Sequence, residues 1–264
     1  MIGFLIKKTF FDLWDNLLKL AAVNIGFIAS LAFLVFIPPL LASIPLLAIL
    51  ASLMGILWLA IYFQAAALSL KTVSDYSSFG VRDFFHNIKE GWKPGLVLGG
   101  LVSIMWLMAS MIIPFYLDMG SLLGLFLAAV IFWALAIGVL ALQFFFAIRS
   151  RLDTKPLKII KKCFLIFFDN AGFSLFSFIH NLVLLVISVL TAFLIPGPAG
   201  VLLYLDEALR LRLLKYDWLE TNPPEAAANG RRKRPQIPWD ALLIDDREKT
   251  GTRSLRNFIF PWKD

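Results

Sequence analysis

Apolar residues in this chain run in long stretches broken only by short polar joints, and the stretches are too long for strands. A helix needs about 20 predominantly apolar residues to cross a bilayer, with a range of about 17–25. Six stretches meet or approach that length: 20–37, 46–70, 95–117, 122–148, 171–195 and 199–214. The first ends at Pro38 and Pro39. The third and fourth are parted by Asp118, Gly120 and Ser121, and the fifth and sixth by Pro196, Gly197 and Pro198. Proline cannot continue a helix but suits the first turn of the next, so these joints are turns. The sixth stretch is the least apolar, because Asp206 and Glu207 stand inside it.

The polar joints repeat. IKKTFFDLWDN at 6–16 and IKKCFLIFFDN at 160–170 share six of eleven positions at an offset of 154 residues. Half that offset predicts a third copy near position 83, where VRDFFHNIKEG occupies 81–91. Chance likeness in low-complexity apolar sequence is the competing account, and the shared period favours duplication. The expected fold is therefore an all-α membrane protein. Six transmembrane helices form three hairpins, each preceded by an amphipathic elbow helix, in repeats of about 3–80, 81–157 and 158–220.

Each elbow carries an apolar stripe at helical spacing: Ile6, Phe10, Leu13 and Leu17; Val81, Phe84, Phe85 and Ile88; Leu157, Ile160, Phe164 and Phe167. Such helices lie in the plane of the interface. The third is apolar over more than one stripe, so packing beneath the bundle is its alternative arrangement. The Asp-Asn corners that follow are expected to cap the next helix through their side chains.

Composition sharpens this picture. Apolar residues make up 59% of the 264 and charged residues 16%, against about 45–50% and about 25% in soluble domains. The surplus is lipid-facing surface. All sixteen Lys and Arg before Thr221 fall in the N-terminal segment, in two long connections or at the end of the last stretch; the other turns carry none. Basic residues collect on the cytoplasmic side, which predicts a multi-pass protein of the bacterial inner membrane with both termini in the cytoplasm. The net charge of +7 then belongs to topology and to anionic head groups, not to nucleic acid. Lys7, Lys8, Lys161 and Lys162 are the expected head-group contacts. The first apolar run follows Lys19 without a small-residue cleavage pattern, so it is expected to stay as a span.

Candidate chemistry is sparse. The single cysteine, Cys163, excludes an intrachain disulfide and a multi-cysteine metal site; it is expected to be a reduced, packed thiol, with juxtamembrane acylation as the alternative. No metalloprotease, hydrolase or phosphate-loop motif is present, so no catalytic residue, cofactor or metal is assigned and no enzyme is expected. Polar residues within the apolar stretches are the default functional candidates: Asn24, Gln64, Gln143, His180, Asn181, Asp206 and Glu207. Interhelical hydrogen bonding is the simpler account of Gln64 and Gln143, and packing that of His180. Asp206 and Glu207 can pair with Arg210 one turn on, or face the bundle interior if the helix stays at bilayer depth.

The tail, 221–264, is a separate segment. TNPPEAAANG is a linker, and Arg231, Arg232, Lys233 and Arg234 form a basic cluster suited to anionic lipid. Two apolar patches follow, one with Trp239, Leu242 and Leu243 and the other with Phe258, Phe260 and Trp262. Exposed aromatics in a short segment dock somewhere, either on the protein's own elbows or on a partner subunit.

Three segments carry a family likeness: the first stretch with Asn24 and its Pro-containing turn, FQAAALSLKTVSDYSSFGVRDFFHNIKEGWKPGLVLG, and RLDTKPLKIIKKCFLIFFDNAGFSL. In these, from Asp12 to about Lys215, the chain resembles the YesL-like bacterial membrane proteins, whose activity is unassigned. The resemblance implies an accessory role beside a carbohydrate ABC importer, with a permease or ATPase subunit as partner. It supplies no functional residues, and the aromatic tail departs from the family's usual end. The alternative expectation is a small-solute or lipid carrier with a cavity lined by Gln64, Gln143, His180 and Asp206.

Overall fold

A computed structural model describes residues 1–222, 236–251 and 253, and every regular element among them is helical. The elements are α1 (Ile2–Asp15), α2 (Leu17–Leu40), α3 (Pro45–Ser74), α4 (Val81–Leu107), α5 (Ile113–Asp118), α6 (Leu122–Leu142), α7 (Phe145–Arg151), α8 (Pro156–Asp169), α9 (Ala171–Val189), α10 (Gly197–Thr221), α11 (Trp239–Leu242) and α12 (Ile244–Thr250). Five helical runs are long and apolar enough to cross a membrane: Leu17–Leu40, Pro45–Ser74, Val81–Asp118, Leu122–Arg151 and Ala171–Val189. The protein is a multi-pass membrane protein. Its outward side chains show why: Leu122, Phe36 and Trp133 are 85%, 67% and 64% exposed, a surface that only lipid accommodates.

The long run after Val81 is one helix with a single irregularity. A π-helical turn at Met108–Ile112 precedes Pro114, where the missing N–H and the ring's clash with the preceding turn would otherwise break the ladder. α4 lies closely along α3. A Cβ on Gly95 would stand 2.8 Å from the Ile61 Cα, and Gly91 and Gly99 face Gln64 and Leu57 in the same way. Small residues four apart let the two backbones touch.

The core lies at one end of the molecule, the charge-rich end, and α10 is its centre. One cluster joins Tyr204, Leu205, Ala208 and Leu209 of α10 to Phe144, Phe145, Ile148, Ile159, Cys163, Leu5 and Leu243. A second joins Ala199, Leu202 and Leu203 to Leu20 and Val23 of α2 and to Tyr62, Ala66, Leu70 and Val73 of α3.

The expected sixth stretch differs from the others: α10 is not among the five apolar runs. It is surrounded by protein, which is how it accommodates Asp206, Glu207 and Arg212 at 1%, 1% and 9% exposure. The turn before it is pinned by Asn24, whose Nδ2 donates to the carbonyls of Leu194 and Pro196 while its Oδ1 accepts from the Ala199 N–H, each at 2.9 Å. Asn24 lies in the second turn of α2. From there α2 continues to Leu40, about 24 Å at 1.5 Å per residue. The turn between α9 and α10 is therefore fixed against the N-terminal turns of α2.

The elbows also differ from expectation. The second is no separate helix; residues 81–91 are the first turns of α4, opened by the Gly80 N–H donating to Asp83 Oδ2 at 2.8 Å. α8 buries Ile159, Cys163, Ile166 and Phe167, with Leu157 outside at 82% exposure; it packs beneath the bundle. α1 buries Leu5, Lys8, Thr9, Phe11 and Asp12, a face rotated from the predicted stripe. Neither Asn16 nor Asn170 caps the following helix. Each Nδ2 instead donates backwards to the carbonyl four residues earlier, at 3.2 Å to Asp12 and 3.4 Å to Ile166. The two repeat copies thus make the same corner by the same bond.

Candidate functional site

The densest chemistry is a buried ion network at the charge-rich end, organised by the neighbouring carboxylates of α10. Glu207 Oε1 accepts from Lys8 Nζ at 3.2 Å, and its Oε2 accepts from the Thr9 hydroxyl. Lys8 also contacts Asp12, and donates to the Ser74 carbonyl at 3.0 Å. Asp206 faces the other way. Its Oδ1 accepts from Ser150 Oγ and Arg151 Nε, both at 3.0 Å, while Arg151 Nη2 reaches Asp75 and the Ser74 hydroxyl at 2.9 Å. Arg210 donates to Asp246 at 2.8 Å, and the Tyr76 hydroxyl donates to the same carboxylate at 3.1 Å. One network thus ties α1, the end of α3, α7, α10 and α12 together.

Local spacing predicted Asp206 or Glu207 paired with Arg210, and that is corrected. Their cations come from Arg151 and Lys8, 55 and 199 residues away in sequence. Arg210 turns instead to the tail. Burial pushes the Glu207 carboxyl well above its ordinary value; Lys8 pulls it back and Asp12 raises it again. Burial alone would lower Lys8, but Glu207 and Asp12 together hold it above the ordinary lysine value. Two carboxylates share one ammonium.

The other sequence candidates lie outside this network. Asn24 holds the hairpin turn. Gln64 is fully buried against Gly91 with neither amide atom partnered. Gln143 stands at the break after α6 and donates to the carbonyls of Leu140 and Ser174 at 2.7 and 3.0 Å. His180 stacks on Tyr204 at 4.1 Å, beside Asn181. Gln64, Gln143, His180 and Asp206 each have their own set of neighbours. An open groove beside α1 and α12 is lined by Lys7, Arg247 and Glu248, and three others are apolar. One, of about 410 Å³, lies between α4 and α6 along Leu98, Val102, Met105, Trp106, Val139 and Leu142.

The predicted head-group lysines divide. Lys8 is 2% exposed and belongs to the network, which corrects its assignment. Lys7 donates to the Gly251 carbonyl at 3.2 Å, Lys162 pairs with Asp153 at 3.2 Å, and Lys161 is exposed. Arg231, Arg232, Lys233 and Arg234 lie outside the described residues, as do Phe258, Phe260 and Trp262. Of the predicted docking residues, Leu243 is fully buried in the core, and Trp239 and Leu242 are half-buried. The described part of the tail docks on the protein's own membrane region. Arg253 extends that contact by gripping Asp15 with Nη1 at 2.9 and 3.0 Å and covering the Phe11 ring at 4.6 Å.

Thr9, Asp12, Ser74, Tyr76 and Arg151 were not singled out by sequence reasoning. The only local signal was the four-residue spacing of Lys8 and Asp12. Comparison with known proteins returned no matching family model, no matching curated protein and no matching solved structure.

Proposed function

We propose that this protein is a non-enzymatic accessory subunit of a membrane transport system, with a carbohydrate ABC importer as the proposed assembly. The charge-rich end is its cytoplasmic face. The observation that carries the reading is the C-terminal segment: Leu243 and Asp246 are built into the same core and ion network as α1 and α10. Elbow helices and tail are cross-braced by the ion pairs of Lys8 with Glu207, Arg151 with Asp206 and Arg210 with Asp246. A face braced in this way suits holding another subunit better than passing a solute. The YesL-like resemblance supplies the proposed partner class, and the basic residues of the joints supply the orientation.

The test is recovery of the intact chain from native membranes, with its companions identified by mass spectrometry. Permease or ATPase subunits are expected with the wild type and are lost when 236–264 are deleted. Recovery of the protein alone under conditions that keep known complexes intact counts against the role.

A lipid carrier is the second reading, favoured by the groove between α4 and α6. Its apolar walls suit an acyl chain and offer a sugar or an ion nothing to bind. Met105→Trp would fill it. Lipid exchange between vesicles that falls with this substitution supports the carrier; exchange no faster than in protein-free vesicles excludes it.

A further inference from the structure

At the base of the α9–α10 hairpin stands a guanidinium with no carboxylate in contact among the described residues. Arg212 is 9% exposed. Its Nη1 donates to Asn170 Oδ1 at 3.4 Å, its charge lies 3.6 Å over the Phe173 ring, and its Nε has no partner. The other arginines of α7 and α10 are different: Arg149 pairs with Glu90, Arg151 with Asp206 and Asp75, and Arg210 with Asp246. In Arg210 the Asp246 carboxylate outweighs the cost of burial and raises the proton affinity. In Arg212 burial prevails and lowers it. A buried cation without a counter-ion is costly in any fold, and an anion is what would relieve it.

The surroundings specify where that anion would sit. Asn170 and Phe173 bracket the first turn of α9, a helix of 19 residues whose N-terminus receives no side-chain cap from Asn170. Its leading N–H groups and its dipole favour negative charge. Ser174, closing that turn, is fully buried with an unpartnered hydroxyl. Gly172 faces open space. Lys215 Nζ donates to Asn170 Oδ1 at 3.1 Å. The one acidic group nearby, Asp169, is engaged by the Tyr216 hydroxyl at 2.6 Å, by Asn170 Nδ2 at 2.9 Å and by Lys215 at 3.5 Å. Phe168 and Leu175 on either side are 67% and 49% exposed, apolar surface of the kind that faces acyl chains.

We propose that the first turn of α9, together with Arg212 and Lys215, is a phosphate-binding site. The phosphate is either that of an anionic phospholipid head group or free inorganic phosphate. Arginine suits it because its planar fork matches phosphate oxygens, and the open flank at Gly172 is the entry. The assignment is independent of the docking role, since it rests on the uncompensated charge and the uncapped helix end.

The test uses the full chain and two probes. Its thermal midpoint is measured in nanodiscs of phosphatidylcholine with and without phosphatidylglycerol, and in detergent with and without inorganic phosphate. Binding to the folded state raises the midpoint. The decisive variant is Gly172→Asp, which places a carboxylate in open space beside the helix N-terminus. It is expected to abolish the rise, read against its own midpoint without the probe. Arg212→Gln is expected to lose it too. A rise with phosphatidylglycerol alone assigns the site to a lipid head group, and a rise with phosphate as well assigns it to the free anion. No rise with either probe, or a Gly172→Asp protein that responds like the wild type, overturns the proposal.

Discussion

Asn24 and Gly197 fit one another with no room to spare: a Cβ on Gly197 would stand 2.2 Å from Asn24 Nδ2. Gly197 also has φ +60, a backbone conformation that L side chains rarely adopt. The Asn24 amide is fully buried and spends all its contacts on the turn before α10. Asn24→Leu would leave the Leu194 carbonyl and the Ala199 N–H unpaired, each costing about 1–3 kcal/mol, whereas the Pro196 carbonyl keeps its bond from the Gly200 N–H. Both Asn24→Leu and Gly197→Ala are expected to destabilise the protein by about 3 kcal/mol or more on that scale, seen as a lowered thermal midpoint in detergent. An unchanged midpoint in either variant would mean that the turn is held some other way.

The depth of that turn is directly measurable. Thr191 is exposed near the hairpin tip, and Asp118 is exposed in the turn between α5 and α6. The native Cys163 does not interfere: it is fully buried, and burial pushes its thiol up to about 12. A membrane-impermeant maleimide applied from the side of Asp118 is expected to label Asp118→Cys and to leave Thr191→Cys unmodified. Labelling of both from that side would mean a full sixth crossing.

The spans were legible because lipid imposes a simple rule. Side chains such as Leu122 and Trp133 need no specific neighbour, so hydropathy alone places them. The repeated Asp-Asn corners were legible too, although their bonding runs backwards to the preceding helix and not forwards. The role of α10 was not legible. Apolar periodicity cannot distinguish a neighbour made of lipid from one made of protein, so Asp206 and Glu207 read as a shallow exit or a cavity wall. Their partners confirm why local rules fail: Glu207 meets Lys8 across most of the chain, and Arg210 is drawn to Asp246 and not to the carboxylates one turn away. The close seam of Gly91, Gly95 and Gly99 on α3 has its own mark in the sequence, the four-residue spacing of the glycines.

Glu207 gives the network a pH signature. Its carboxyl is raised above the ordinary value of 4.5, first by burial and then, against the pull of Lys8, by Asp12. The native state holds this proton more tightly than the unfolded chain. The contribution to stability is therefore fully present below the unfolded value and is lost as pH rises through the folded one. Lys8, raised above 10.5, loses its contribution only at still more alkaline pH. Thermal midpoints followed from about pH 5 to about pH 9 are expected to decline through this range in the wild type. Glu207→Gln keeps an acceptor for Thr9 and removes the titration, so its decline is shallower and its midpoint at neutral pH is no lower. A slope identical to the wild type would place the titrating group elsewhere.

The tail contact can be separated from folding as a whole by reversing its central ion pair. Arg210 Nη2 and Asp246 Oδ1 are 2.8 Å apart, with Asp246 almost fully buried and Arg210 about a quarter exposed. Asp75 stands 4.0 Å from Arg210 Nε, and Tyr76 donates to Asp246. Arg210→Asp would set three carboxylates against one another, and Asp246→Arg would set two guanidinium groups together. Each single variant is expected to free the Ile244–Thr250 helix, read as faster hydrogen exchange of its amides in the full chain. The double variant recovers part of the protection, because Asp75 remains beside the reversed site. Coupling between two such groups falls at about 0.5–3 kcal/mol, enough to slow exchange measurably relative to both single variants. If the double variant exchanges as fast as the worse single one, Leu243 and the backbone contacts hold the segment, and the ion pair is incidental to it.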